Sequence, residues 1–264
     1  MNYAFWFKYW LDFFISLLNY KILHFRLPSR PSVYHLGNDI SLFFRSLSHD
    51  SVVIFENIIL NIYMKHIPNI KNTDTIIDIG AHIGTFSIPL SIKHKNKIRI
   101  IAVEPDPSSF SLLKKNTDIN GLKNIYCRKI AINYNNRILK LHINPLNRGD
   151  NSAIRKAIGN NHILVQSITL ADLFKENMIE KVRVLKMDCE GLEADIINNC
   201  PSKIFDMVHT IIIETHPDCY TNTKFDNMIK VLNANKFNVH IISGLNIPIL
   251  KTFYKIPLLV ASRQ

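Results

Sequence analysis

Residues 75–88 read Thr-Ile-Ile-Asp-Ile-Gly-Ala-His-Ile-Gly-Thr-Phe-Ser-Ile. A short apolar run, Thr75 to Ile77, leads into Asp78 and then two glycines, Gly80 and Gly84; a second apolar run follows at helical spacing. The pattern predicts a strand, a tight turn and a helix. In open α/β sheets such a turn lies at the carboxyl end of a strand, where nucleotide-like ligands bind. A dinucleotide loop would read G-x-G-x-x-G, so that backbone can approach a pyrophosphate. Here the spacing is Asp78-x-Gly80-x-x-x-Gly84, and the third glycine is missing. Alone, this is a weak signal that many strand-to-helix turns could carry.

The next run outward, Ile98 to Val103, ends in Glu104-Pro105. An acid at that position can accept both ribose hydroxyls of a nucleoside. Pro105 stops the strand, and Asp106-Pro107 supplies a helix start with proline at its first position. Nicotinamide enzymes also carry this second acid, so Glu104 does not separate one cofactor from another. Asp78 does. A carboxylate just before the first glycine repels phosphate and attracts a cation. S-adenosylmethionine carries an ammonium and a sulfonium and no phosphate, so it suits the loop better than NAD. A nicotinamide-dependent dehydrogenase stays as the alternative from the same fold class.

Residues 182–193 read Val-Arg-Val-Leu-Lys-Met-Asp-Cys-Glu-Gly-Leu-Glu, a strand ending at Asp188, a turn at Gly191, and a helix over 192–199. Thr210 to Ile213 is another strand, with Glu214, Thr215 and His216 at its exit. Asp78, Glu104, Asp188, Glu214 and His216 thus converge on one crevice.

Asp78-Ile79-Gly80-Ala81-His82-Ile83-Gly84, Val103-Glu104-Pro105, Leu185-Lys186-Met187-Asp188-Cys189-Glu190-Gly191 and Ile213-Glu214-Thr215-His216 resemble the FkbM family of S-adenosylmethionine-dependent methyltransferases. The resemblance covers roughly residues 52–242, and its most specific part is the K-x-D-x-E-G block. Cys189 and Leu192 depart from the residues the family more often has there, without removing a polar group. The resemblance implies a class I, Rossmann-like fold with a mostly parallel seven-stranded sheet and helices on both faces. It implies O-methylation, commonly of a sugar, glycan or polyketide hydroxyl. Asp78, Gly80, Ala81, His82, Gly84 and Glu104 would hold the cofactor.

An alcohol is a poor nucleophile near neutral pH, so a base or a metal is useful. His216, with an ordinary pKa of about 6.5, would be largely neutral and could serve as base. Asp188 is the other candidate, either as base or with Glu214 around a divalent cation. No third oxygen ligand is evident, and no metal site is assigned. Glu190 would orient substrate or cap the following helix. Lys186, inside a strand, could pair with a neighbouring acid.

The chain of 264 residues allows one large α/β domain with small extensions. Its cysteines, Cys127, Cys189, Cys200 and Cys219, form no C-x-x-C pair, which argues against a disulfide framework or zinc and for a reducing cytoplasm. The net charge of +11 comes from scattered residues without a nucleic-acid-reading motif, so a solvated basic surface is the preferred reading.

Residues 1–50 read as an aromatic-rich helical extension, with ten aromatic side chains between Tyr3 and Phe25. Lys8 and Asp12 interrupt that run, so spanning a membrane, which needs about 20 mostly apolar residues, is not expected. A cap helix packed on the domain or on a second subunit, and an interfacial helix in peripheral contact with a membrane's inner face, are the two readings. The interfacial one leaves a non-catalytic membrane-associated scaffold with a vestigial cofactor site as a further alternative. Residues 26–36 read as a connector. Residues 51–264 read as the methyltransferase domain: an amphipathic helix over 51–66, a third strand over 124–132, and an insertion near 137–168 on the substrate side. The insertion has two strands, 137–143 and 162–168, around a polar loop.

Overall fold

The computed structural model describes residues 31–36, 40–144, 151–154, 161–242 and 257–263. The aromatic stretch 3–25 and residues 145–150 of the insertion loop lie outside them.

The described chain begins with an antiparallel hairpin, β1 (Pro31–Leu36) and β2 (Ile40–Arg45). Residues 31–36 are therefore a strand and not a connector. Pro31 opens it, a position where its missing N–H breaks no ladder. Tyr34 stacks on Phe44 at 4.3 Å between ring centroids, and both bury in the core with Leu42. The hairpin is part of the domain body.

The helix expected over 51–66 is broken. A short helix, α1 (Asp50–Ile54), runs into one wide π-turn at Phe55–Ile59, and the chain leaves the helical path at Asn61, whose φ is +53°. Asparagine tolerates that left-handed conformation. Only a single 3-10 turn follows, at Met64–His66. Asp50 does not cap this helix, because Arg45 occupies its carboxylate.

Strand and helix then alternate: β3 (Thr75–Ile79), α2 (Ser87–Lys93), β4 (Arg99–Val103), α3 (Pro107–Ile119) and β5 (Ile125–Arg128). Asp106 caps α3 with Pro107 in the first turn, as expected. The strand expected over 124–132 divides. Its last part, β6 (Ala131–Ile132), leaves the main sheet and pairs with the insertion hairpin, β7 (Ile138–His142) and β8 (His162–Ile168). The chain continues through α4 (Leu170–Glu176), β9 (Val182–Met187), α5 (Glu193–Asn198), α6 (Ser202–Asp206), β10 (Val208–Glu214), α7 (Asn222–Ala234), β11 (Asn238–Ile242) and β12 (Leu258–Ser262).

The main sheet has seven strands in the order β11-β12-β10-β9-β3-β4-β5. Neighbours from β10 to β5 run parallel, and β12 alone is reversed. The expected α/β architecture is the observed one. Its central strands are apolar on both sides, as strands covered on both faces must be. On one face Ile76, Ile100, Val184 and Ile212 pack with Phe44, Phe86, Ile88 and Leu113. On the other, Ile77, Ile101, Leu185 and Ile211 pack with Leu173, Phe174, Ile197, Phe205 and Leu232. Among the described residues no helix is long and apolar enough to cross a membrane.

Strand register places the site. Ile79 lies beside Val103 and Met187, and Met187 beside Ile213. The residues that follow, Gly80, Glu104, Asp188 and Glu214, therefore leave the sheet at one level.

Candidate active site

The glycine turn is locked to both neighbouring strands. The amides of Gly80 and Ala81 donate to the Val103 carbonyl, and the Asp188 amide donates to the Ile79 carbonyl. Gly80 has φ +74°, and a Cβ there would overlap the Asp188 carbonyl oxygen. His82 follows at φ +51°, and Gly84 at +92° begins the turn into α2.

Glu104 is buried, and each of its oxygens accepts one backbone N–H: His82 on Oε2 and Asp106 on Oε1, both at 2.8 Å. Burial pushes its carboxyl up to about 7, the two amides opposing that shift. A carboxylate has about four acceptor positions, so acceptor capacity for a ribose diol remains. On the other side of the loop, Arg45 Nη2 donates to His82 Nε2 at 3.0 Å. That contact puts the ring proton on Nδ1, and burial holds His82 neutral, with its pKa lowered to about 4. Nδ1 is then a buried donor with no hydrogen-bond partner among the described residues. A diol acceptor on one side and a spare buried donor on the other fit a nucleoside cofactor bearing a carboxylate, as S-adenosylmethionine does.

Arg45 was not singled out in the sequence, because it lies upstream of the motif block and nothing in its own neighbourhood marks it. It ties three parts of this site together. Its guanidinium grips Asp50 with two bonds of 2.8 Å, reaches His82, and donates to Ser108 and Ser109 at the start of α3. Lysine cannot reproduce that planar fork. Arg45→Lys should cost about 2 kcal/mol of stability and weaken binding of S-adenosylhomocysteine at least several-fold. Calorimetry beside thermal unfolding checks this; unchanged affinity would confine Arg45 to a structural role.

Asp78 differs from its sequence reading. It is fully buried and faces its cross-strand neighbour Lys186, whose Nζ lies 3.2 Å away, while Ser87 Oγ donates to it at 2.6 Å. Its charge is neutralised inside the protein and is not presented to a ligand. Lys186 also donates to the Gly80 carbonyl at 2.9 Å and approaches Asp188 Oδ2 at 3.5 Å. Asp78 therefore supports the loop through Lys186.

Past the sheet edge, acids from three segments surround His216. Nε2 lies 3.2 Å from Glu190 Oε2, 3.8 Å from Asp188 Oδ1 and 3.9 Å from Glu214 Oε1. Nδ1 lies 3.2 Å from Glu193 Oε1. Against the cost of burial, Glu190, Glu193 and Glu214 together raise the imidazole well above its usual value. This corrects the expectation of a free neutral base: with no other cation beside it among the described residues, the ring is driven toward its protonated form by these carboxylates. The acids are each anchored. Glu193, wholly buried, accepts from the amides of Cys189 and Gly191. Tyr63 donates to Glu214 and, at 3.4 Å, to Asp188. Burial and the nearby Asp188 push Glu214 up to about 7. Glu190 sits at φ +54° in the turn, where Ser152 Oγ, from the insertion, donates to its carbonyl at 2.6 Å. The insertion thus touches the acid cluster. Tyr63 carried no sequence signal; Glu193 lay in the quoted block without a role.

The profile of the FkbM methyltransferase domain matches residues 78–239. Methyltransferase 1 of Beauveria bassiana is 23% identical over 183 residues, 62% of this chain and 72% of that protein. The hexuronic acid methyltransferase AglP of Haloferax volcanii is 22% identical over 146 residues, 55% of this chain and 57% of that protein. The crystal structure of an FkbM methyltransferase from Methylobacillus flagellatus superposes with a TM-score of 0.51 at 15% identity, over 75% of this chain. The chain spans only 46% of that protein's length. A match that begins at Asp78 and runs through the acid cluster, on a sheet of this topology, supports a methyltransferase of the kind that uses S-adenosylmethionine. The chain belongs to the FkbM methyltransferase family.

Proposed function

We propose that this protein transfers a methyl group from S-adenosylmethionine to a hydroxyl oxygen of a sugar, glycan or polyketide-like acceptor. The supporting observation is the acid cluster beside the glycine turn. A hydroxyl must lose its proton as it attacks, and the crevice offers carboxylates to receive it. The bound cofactor supplies an electrophilic methyl group and its own leaving group. The protein's residues align the acceptor and handle its proton. Glu104 holds the nucleoside end, with His82 Nδ1 as a donor. Glu190 takes the acceptor's proton, and Asp188 orients the hydroxyl. His216, enclosed by these carboxylates, positions the acids instead of acting as base. A uronic acid is a reasonable first acceptor to try, since one relative is named for that substrate class.

The experiment is to incubate purified protein with carbon-13 methyl-labelled S-adenosylmethionine and a panel of uronic acids, neutral glycosides and polyketide alcohols. Product methyl resonances at O-methyl shifts are expected. Labelling only of nitrogen or carbon would reject the hydroxyl acceptor. Glu190→Gln should lower kcat by about 10²-fold or more with an unchanged melting temperature; a loss under threefold would remove Glu190 as the base.

A further inference from the structure

We propose that His216 Nε2, Asp188 Oδ1 and Glu214 Oε1 hold a divalent cation of the magnesium or manganese class. The His216 ring is buried, with a side-chain exposure of 10%. Glu193 faces its Nδ1 and, being bonded to two backbone amides, cannot turn away. A neutral ring therefore carries its proton on Nδ1 and turns an unprotonated Nε2 to the crevice. Among the described residues that nitrogen faces three carboxylate oxygens: Glu190 Oε2, Asp188 Oδ1 and Glu214 Oε1. An acceptor facing acceptors needs a cation between them. A second proton on the ring is one way to supply it, and a metal ion is the other.

Several details favour the metal. A histidine whose second nitrogen faces a carboxylate, as Nδ1 faces Glu193 at 3.2 Å, has the usual outer-shell surroundings of a metal ligand. Asp188 and Glu214 each have one oxygen engaged away from the crevice, by Lys186 and Tyr63 respectively, and the other turned toward Nε2. Asp188 Oδ1 is buried and accepts no hydrogen bond among the described residues. Ligand bonds of about 2.1 Å put neighbouring ligands about 3 Å apart and opposite ones about 4.2 Å apart. The distances from Nε2 to Asp188 and Glu214, 3.8 and 3.9 Å, fall in that span. Two carboxylates and one imidazole suit magnesium or manganese better than zinc, which prefers sulfur and nitrogen. An ion here would polarise an acceptor hydroxyl beside Glu190 and help it lose its proton.

The test uses the full chain and manganese(II) alone, with no cofactor or acceptor, and reads the loss of the free-ion electron paramagnetic resonance signal. One saturable site per chain is expected. Asp188→Asn, Glu214→Gln and His216→Ala should each weaken it at least tenfold, and Glu193→Gln roughly 10- to 100-fold through the ring. Asp74→Asn, at the opposite end of β3, should leave it unchanged. Melting temperatures of the variants confirm that they are folded, and Glu214→Gln serves if Asp188→Asn is not. No signal loss at millimolar protein, or equal binding by Asp188→Asn, Glu214→Gln and His216→Ala, would overturn the proposal. The readout is independent of turnover: binding without methyl transfer would leave the site standing and count against the methyltransferase reading.

Discussion

Lys186→Met should lower the unfolding free energy by roughly 3–5 kcal/mol, the usual cost of removing one partner from a buried ion pair. The ammonium is 3% exposed and Asp78 fully buried. Without Lys186, Asp78 keeps only the Ser87 hydroxyl, and an anion in a medium of low dielectric has no compensating charge. The Gly80 carbonyl loses its donor at the same time. For a domain of this size the melting temperature should fall on the order of 10 °C. Methionine nearly matches the lysine stem in volume, so the loss reports charge more than packing. A double-mutant cycle with Asp78→Asn separates the two: if the pair is the cause, Lys186→Met added to Asp78→Asn costs far less than Lys186→Met alone. A single-variant loss below 1 kcal/mol would mean that the contact between Asp78 and Lys186 does not hold these strands together. Cofactor affinity should fall too, because the pair holds the turn that carries Gly80 and His82.

That pairing shows how sequence and structure divide the explanation. Asp78 and Lys186 are both visible in the motifs, each inside an apolar run, and the strand alternation is readable. What joins them is the register of β3 on β9, set by contacts more than a hundred residues apart. The strands at 75–79, 98–103, 182–187 and 210–213 and the polar residues at their ends were legible because a parallel sheet buries its strands and exposes its carboxyl edge. The acids around His216 were legible one by one. Their effect on its protonation was not, since it depends on their meeting within 4 Å of one ring. The break after Ile59 is of the same kind. The local pattern favours a continued helix, but Asn61 turns the chain and Tyr63 enters the core to reach Glu214, 151 residues away. Arg45, outside the region matched by the family, shows that part of the site is built by the hairpin that precedes it.

Gly80→Ala should be the most damaging single-methyl change in the loop. At φ +74° any side chain is strained, by about 1–3 kcal/mol for a non-glycine residue. The methyl group would also occupy the position of the Asp188 carbonyl oxygen. That oxygen belongs to backbone, and Asp188 is anchored by its amide on Ile79. The only relief is to separate the ends of β3 and β9, which moves Lys186, Asp188 and the glycine turn together. Gly121 supplies the control. It has φ +64°, yet a Cβ there meets nothing within 4 Å. Gly121→Ala therefore measures the left-handed conformation alone, and should cost about 1 kcal/mol with cofactor binding intact. The excess loss in Gly80→Ala then measures the close approach of the two strand ends. It should bring the total above roughly 3 kcal/mol and lower affinity for S-adenosylhomocysteine by about 100-fold or more. Thermal unfolding and calorimetry on both variants decide the matter. If Gly80→Ala melts with Gly121→Ala and binds within threefold of the native protein, the strand ends do not meet as closely as this fold requires.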